Sequence, residues 1–97
     1  MTFTVILAPE AVEDLKRLPA NVRATLRDAL DKHLRNEPEK VSRSRIKRLR
    51  GLRQPQFRLR VDDIRVFYDV SGPFVEILAI MTKSEAEAWL GQFGNPE

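Results

Sequence analysis

Residues 57–81, FRLRVDDIRVFYDVSGPFVEILAIM, decide the fold of this chain. Apolar and charged side chains alternate over 57–61, which is the period of a half-buried strand. Asp62-Asp63 and Ser71-Gly72-Pro73 are typical of turns, and they separate two further apolar stretches at 64–70 and 74–81. The stretch therefore predicts a three-strand antiparallel meander.

The residues before the meander predict one strand followed by two helices. Residues 2–7 are rich in β-branched and aromatic side chains and are expected to form an N-terminal strand. Apolar residues then recur at helical spacing over 9–18, with Pro9 in the first turn, and again over 21–36, with Asn21 as the N-cap. The short turn between these segments predicts an antiparallel helix pair.

The remaining segments complete the predicted topology. Residues 40–55 lack a clean period and contain Gly51 and Pro55, which indicates a loop that can include a turn of helix around Ile46. Residues 84–93 predict a short C-terminal helix with Ser84 as N-cap and Glu87 as its capping-box partner. The order β-α-α-β-β-β-α predicts an α+β fold, a two-layer sandwich with the helix pair packed on one face of an antiparallel sheet.

Length and composition limit the classes of protein. With 97 residues, 42% hydrophobic and 32% charged, the chain is expected to form a single domain, 1–97, with a modest core. No apolar run reaches the roughly 20 residues that span a bilayer, and the N-terminus lacks the order of a signal peptide, so a cytosolic protein without membrane contact is predicted. No cysteine and a single histidine exclude disulfides, thiolate zinc sites and histidine clusters. Neither a metal nor a small-molecule cofactor is expected.

Basic side chains are concentrated in residues 40–60, KVSRSRIKRLRGLRQPQFRLR. This stretch holds nine of the seventeen Lys and Arg residues and no Asp or Glu, so the rest of the chain is net acidic. A local cluster of this kind indicates an anionic partner, such as nucleic acid or an acidic protein segment. The expected contacts to that partner from this stretch are Arg45, Lys47, Arg48, Arg50 and Arg53.

Because alternate residues of a strand point to opposite faces of a sheet, the meander strands are expected to place three arginines on the same face. If Phe57, Leu59, Ile64, Val66 and Tyr68 face the helices, then Arg58, Arg60 and Arg65 share the opposite, open face of the sheet. A structural alternative stays open, in which these arginines cover apolar surface with their stems or pair with Asp62, Asp63 and Asp69.

Other candidate residues carry less weight. His33 lies among charged neighbours on the second predicted helix, and a lone solvent-facing histidine is usually inert. Trp89 has two interpretations, packing of the last helix onto the domain or stacking on a base. The carboxylates of Glu10, Glu13 and Asp14 lie where first turns of helices favour acids, which argues against a pair for acid–base catalysis.

Residues 49–70, LRGLRQPQFRLRVDDIRVFYDV, resemble the central signature of the RelE/ParE superfamily of bacterial toxin–antitoxin toxins. The shared features are a Leu-Arg-Gly turn, an arginine-bearing strand, a short turn and an Arg-Val-x-Tyr strand. Residues 3–19, FTVILAPEAVEDLKRLP, resemble the family's opening strand and first helix. The resemblance thus covers nearly the whole chain.

The RelE branch of this superfamily implies metal-independent endoribonuclease activity on mRNA in the ribosomal A site, which inhibits translation. Arg58, Arg60 and Arg65 match its basic positions and would hold the phosphate. Lys83 and Trp89 stand near the places where the family often has an arginine and then an aromatic residue or histidine. The resemblance therefore implies Arg58, Arg60, Arg65 and Lys83 as catalytic residues and Trp89 as a further substrate contact.

Two alternatives to an RNase stay open. The ParE branch shares the fold and inhibits DNA gyrase, and a degenerate toxin would only bind its antitoxin. In every case the resemblance implies a cognate antitoxin protein as partner, and the RNase interpretation adds mRNA and the ribosome.

Overall fold

The computed structural model describes residues 2–97, which contain three α-helices and seven strands. The elements are β1 (Thr4–Leu7), α1 (Pro9–Lys16), α2 (Ala20–Ala29), β2 (Ile46–Arg48), β3 (Leu52–Gln54), β4 (Phe57–Val61), β5 (Ile64–Ser71), β6 (Phe74–Thr82), α3 (Lys83–Phe93) and β7 (Asn95–Pro96). A turn of π-helix, Leu30–Leu34, extends α2. None of the helices within residues 2–97 combines the length and the apolar character needed to cross a membrane.

Five strands form one sheet in the order β1-β6-β5-β4-β2. The predicted meander is confirmed, because β4, β5 and β6 pair antiparallel in sequence order. The N-terminal strand differs from the expected antiparallel arrangement, since β1 pairs with β6 in parallel, Thr4 opposite Phe74. The path of the chain through the helix pair determines whether β1 runs parallel or antiparallel to β6. The four residues of β1 do not encode this direction. A separate two-stranded ribbon joins β3 to β7.

The loop predicted for residues 40–55 contains a strand at Ile46, where a turn of helix was the expected element. Ile46 is buried at 4% exposure and lies opposite Leu59, while Lys47 lies opposite Arg58. This three-residue strand forms because it pairs with β4. It is too short to show an alternating pattern of apolar and polar residues in the sequence.

Two predicted helix caps are wrong. Helix α2 begins at Ala20, directly after Pro19, so Asn21 lies inside it. Helix α3 begins at Lys83, one residue before the predicted cap Ser84, because β6 runs straight into it. The N-cap is Thr82, whose backbone N–H and hydroxyl both donate to Oε1 of Glu85, at 3.3 and 2.8 Å. These hydrogen bonds lower the pKa of Glu85.

The main core lies between the sheet and the helix pair, which confirms the α+β sandwich. All five residues expected to face the helices are buried there. They pack against the apolar sides of α1, α2 and the π-helical turn, and the rings of Phe57 and Tyr68 stack with centroids 5.4 Å apart. The buried helical residues are Ala11, Leu15, Leu26, Leu30 and Leu34.

A second, smaller cluster covers part of the opposite face. Phe67, Ala79 and Met81 are buried beneath α3, in contact with Leu49, Ala86, Trp89 and Leu90. The face expected to be open is therefore partly closed by the C-terminal helix, and only its remaining area is available to a ligand.

Tyr68 ties the segment after the helix pair to the sheet. Its hydroxyl donates to the carbonyl oxygen of Pro38 at 2.6 Å, and both residues are buried. Burial, and then the charge of Glu39, raise the pKa of Tyr68, which keeps the hydroxyl a donor.

We expect Tyr68→Phe to lower the free energy of unfolding by about 1–3 kcal/mol, because the Pro38 carbonyl would stay buried without a donor. Urea denaturation at neutral pH measures this loss. A change below about 0.5 kcal/mol would mean that the carbonyl finds another donor when the hydroxyl is removed.

Candidate nucleic-acid interface

Four basic side chains share the sheet face opposite the helix pair, as strand parity predicts for Arg58, Arg60 and Arg65. In the register, Arg60 lies opposite Arg65, and Arg58 lies between Lys47 on one side and Phe67 on the other. We call Lys47, Arg58, Arg60 and Arg65 the arginine face. Like charges directly opposite each other across strands are destabilising, so this arrangement weakens the fold unless an anion is bound.

Arg58 has the most unusual environment of the four. The side chain is partly buried, and within residues 2–97 its buried Nε has no hydrogen-bond partner. Burial lowers the pKa of Arg58, and the neighbouring charges of Arg65 and Arg60 lower it further. A buried donor without an acceptor costs free energy. An anion bound at the accessible end of this guanidinium would offset the repulsion from Arg65 and Arg60.

Arg65 is less accessible than the parity argument suggests. It is only 7% exposed, and its NH1 donates to the carbonyl oxygens of Asp62 at 2.9 Å and Ile64 at 3.1 Å. Asp62 has a positive φ of 53° in the β4–β5 turn, so Arg65 braces a tight turn. Its charge still acts on Arg58, but replacing Arg65 would disturb structure and charge together.

The alternative in which these arginines pair with acids does not hold for the residues that the structure describes. The ion pairs found within 2–97 involve other side chains: Lys16 with Glu13, Arg17 with Asp14, Arg35 with Asp31 and Lys40 with Glu37. Asp69 instead accepts hydrogen bonds from the Gln54 side chain at 2.8 Å and from the Gln56 backbone N–H at 2.7 Å. The positive charge of the arginine face is thus not neutralised from within residues 2–97.

The basic stretch divides between the two sides of the sheet. Arg45 lies beside Arg60, whose N–H donates to its carbonyl oxygen at 2.8 Å. Arg48 points to the helix side, with its guanidinium carbon 5.0 Å from the centroid of the Phe57 ring, and is therefore not part of the arginine face. Arg50 is exposed in the turn that leads to β3, and Arg53 is exposed within β3.

The last two expected site residues lie on α3. Lys83 is exposed, and its backbone N–H donates to the carbonyl oxygen of Asp63 at 2.8 Å, at the end of the sheet where Arg60 pairs with Arg65. The ring of Trp89 stacks on Phe67 with centroids 5.0 Å apart and planes inclined by 16°. One face of the Trp89 ring is therefore covered by Phe67, as the packing interpretation predicts.

His33 differs from the solvent-facing histidine that the sequence suggests. It is partly buried and lines a small pocket together with Arg45. The sequence holds no signal for this proximity, because it depends on how the segment after the helix pair returns to the sheet edge.

Comparison with known proteins identifies the family of most of the chain. Residues 5–87 match the family model described as the ParE toxin of the type II toxin–antitoxin system parDE. No curated protein sequence matches the chain.

The fold is similar to those of several solved toxins. The toxin–antitoxin complex RelBE2 from Mycobacterium tuberculosis matches with a TM-score of 0.69 and 26% identity, over 84% of this chain and 99% of the other. The archaeal RelE–RelB complex from Pyrococcus horikoshii OT3 matches with a TM-score of 0.64 and 26% identity, over 86% and 97%. A mutant of Escherichia coli toxin RelE in the free state shares the fold, with a TM-score of 0.55 and 17% identity over 92% of each chain.

The family model spans most of the chain, and the α+β fold is similar to those of the solved RelE toxins. The chain therefore belongs to the ParE toxin family of type II toxin–antitoxin systems, within the RelE/ParE superfamily.

Proposed function

We propose that this toxin is a metal-independent endoribonuclease that cleaves mRNA in the ribosomal A site and so inhibits translation. One observation carries the proposal: Arg58 lies among three other cationic side chains on one face of the sheet, and no carboxylate within residues 2–97 pairs with any of them. A site of this composition binds a phosphodiester and stabilises additional negative charge on it.

Cleavage would use the RNA's own nucleophile. The 2′-hydroxyl gives its proton to water and its oxygen attacks the adjacent phosphorus. The bond to the 5′-oxygen of the next nucleotide breaks and that oxygen takes up a proton, so a 2′,3′-cyclic phosphate and a 5′-hydroxyl result. The pentacovalent intermediate carries one more negative charge than the diester, so cations fixed against its oxygens lower the barrier.

The arginine face offers distinct roles to its members. The accessible end of the Arg58 guanidinium would donate to a non-bridging oxygen, and exposed Arg60 would hold the same phosphate from the open side. Among the expected residues, Lys83 is the best suited to donate a proton to the leaving oxygen, because a lysine ammonium carries a transferable proton at neutral pH. Arginine itself is a poor general base, so stabilisation of charge would supply most of the catalysis.

The match to a ParE family model favours a second candidate, inhibition of DNA gyrase without RNA cleavage. A cognate antitoxin is the proposed partner in either case, since the RelE-like structures of M. tuberculosis and P. horikoshii were determined as complexes with their antitoxins. A disordered or helical antitoxin segment that carries acids would neutralise the arginine face.

Primer extension on cellular mRNA after brief induction tests the RNase proposal. We expect new 5′ ends at codon-spaced positions of translated messages with the wild-type protein. A variant with Arg58→Ala and Arg60→Ala should produce none, because it lacks two of the proposed phosphate contacts. The matched control carries Lys16→Ala and Arg27→Ala, which remove the same charge from the exposed sides of α1 and α2.

The other outcomes separate the candidates. Growth arrest with intact messages and altered plasmid supercoiling would contradict the RNase proposal in favour of gyrase inhibition. Antitoxin binding without any arrest would identify a non-catalytic module.

A further inference from the structure

A second group of basic side chains lies beyond the edge of the sheet, outside the arginine face. Lys32 and His33 from the π-helical turn meet Lys40, Ser42 and Arg45 from the segment before β2. Together with Glu37 they line a pocket of about 220 Å³, which we call the His33 pocket. This volume is several times the roughly 30 Å³ share of one water molecule, so a phosphate group has room to enter.

The walls of the His33 pocket are fixed by the core beneath them. Leu34, Pro38 and Ile46 are buried, and the hydroxyl of Tyr68 holds the Pro38 carbonyl at 2.6 Å. The hydroxyl oxygen of Ser42 accepts the backbone N–H groups of Arg45 and Ile46, at 3.1 and 3.2 Å. A ligand would therefore meet a formed site and would not have to order the loop itself.

The charge of the pocket is positive. Lys32, Lys40 and Arg45 contribute three cations, and Glu37 is the only carboxylate among the lining residues. Its Oε2 lies 3.6 Å from Nζ of Lys40, so it is already engaged. Burial lowers the pKa of His33, and the charges of Arg45 and Lys32 lower it further, which shows that the positive field reaches the imidazole.

The pocket adjoins the arginine face through Arg45. The N–H of Arg60 donates to the Arg45 carbonyl oxygen, so the backbone that carries Arg45 lies next to an arginine proposed to hold the scissile phosphate. We propose that the His33 pocket binds a backbone phosphate of the same nucleic acid strand, which continues from Arg60 past Arg45 towards His33. The inference rests on the proposed function, because it needs a nucleic acid on the arginine face.

Binding of an anion in the pocket changes the titration of His33 in a definite direction. A phosphate favours the imidazolium and raises its pKa. The raised pKa in the complex means that the strand binds more tightly as the pH falls through the His33 pKa, and that this gain is absent above the raised value. Each unit of rise corresponds to about tenfold in affinity at low pH.

The experiment uses the only histidine of the chain as the reporter. The His33 ring proton gives a single NMR resonance, which is titrated with pH in the free protein and in complex with a single-stranded DNA 12-mer, which lacks the 2′-hydroxyl and cannot be cleaved. We expect the complex to raise the His33 pKa by about one unit. Arg45→Gln should weaken binding of the 12-mer and reduce the slope of log K against log salt by about 0.7. Arg27→Gln, an exposed change on the same helix that leads into the pocket, should leave both unchanged.

Two further ligands distinguish the source of the phosphate. If inorganic phosphate or a 5′-phosphorylated 12-mer shifts His33 and a 5′-hydroxyl 12-mer does not, the pocket is a phosphate site that takes a terminal group, and the continuous path along the strand is overturned. A shift with the 5′-hydroxyl 12-mer supports the path.

Failure of this inference can be told from failure of the proposed function. If the wild-type protein cleaves mRNA, while the 12-mer leaves the His33 titration unchanged and Arg45→Gln behaves like Arg27→Gln, only the pocket is overturned. If the 12-mer does not bind and induction of the wild-type protein leaves cellular messages intact, both are overturned.

Discussion

Replacing Arg58 by alanine is expected to slow RNA cleavage by about 10²–10³-fold, the usual effect of removing one fixed donor to a developing oxyanion. The expectation follows from the partly buried guanidinium of Arg58, which no carboxylate within residues 2–97 neutralises and whose accessible end is therefore available to the phosphate. Single-turnover cleavage on programmed ribosomes measures the effect at saturating toxin, where changes in binding no longer contribute.

The stability of the same variant provides the decisive control. Arg58→Ala removes a partly buried charge whose pKa is lowered by burial and by Arg65 and Arg60, so the free energy of unfolding should stay unchanged or rise. Loss of activity without loss of stability is the signature of a functional residue. Arg58→Lys keeps a charge but loses the planar fork, so its rate should fall between those of wild type and Arg58→Ala. A wild-type rate for Arg58→Ala would remove this side chain from the site.

Replacing Phe67 by alanine is expected to lower the free energy of unfolding by about 3–5 kcal/mol. Phe67 is fully buried at the centre of the cluster that α3 covers, and Trp89 stacks on its ring. Urea denaturation, followed by the fluorescence of the only tryptophan in the chain, reports this loss directly. Phe93→Ala is the matched control. Phe93 is also a phenylalanine near this cluster, on α3, but it is 56% exposed. Its replacement should lower the free energy of unfolding by about 1 kcal/mol or less.

A double-mutant cycle isolates the stacked pair itself. Phe67→Leu and Trp89→Leu, alone and together, should give an interaction energy of about 0.5–1.5 kcal/mol. Additive losses would show that α3 is held by burial alone. In that case Trp89 would be freer to leave Phe67 and stack on a base.

The sequence predicts the parts of this fold that depend on local pattern. The alternation of Phe57 and Leu59 with Arg58 and Arg60 fixes both the strand and its two faces, and the structure places these side chains as expected. The turn at Asp62-Asp63 and the helix pair are likewise set by residues close in the chain. The family resemblance, carried by residues 49–70, agrees with the match to the ParE toxin family.

The features that the sequence does not predict depend on long-range packing. The edge strand at Ile46 exists only because β4 offers it a partner, and the burial of Arg65 follows from the path of the β4–β5 turn. Lys47 and Arg48 lie on opposite faces of the sheet, which the density of charge in the sequence does not predict. Adjacent basic residues have equal weight in a charge count, but a strand sends them to opposite faces.

The parallel pairing of β1 with β6 has a consequence for the order in which the toxin is made. Thr4 pairs with Phe74, so the first strand leaves the ribosome several seconds before its partner, at synthesis rates of roughly 5–20 residues per second. The sheet, and with it the support behind Arg58, cannot close until β6 has been synthesised. A chain that ends before Phe74 therefore lacks the strand that pairs with β1, and Arg58 then has no completed sheet behind it.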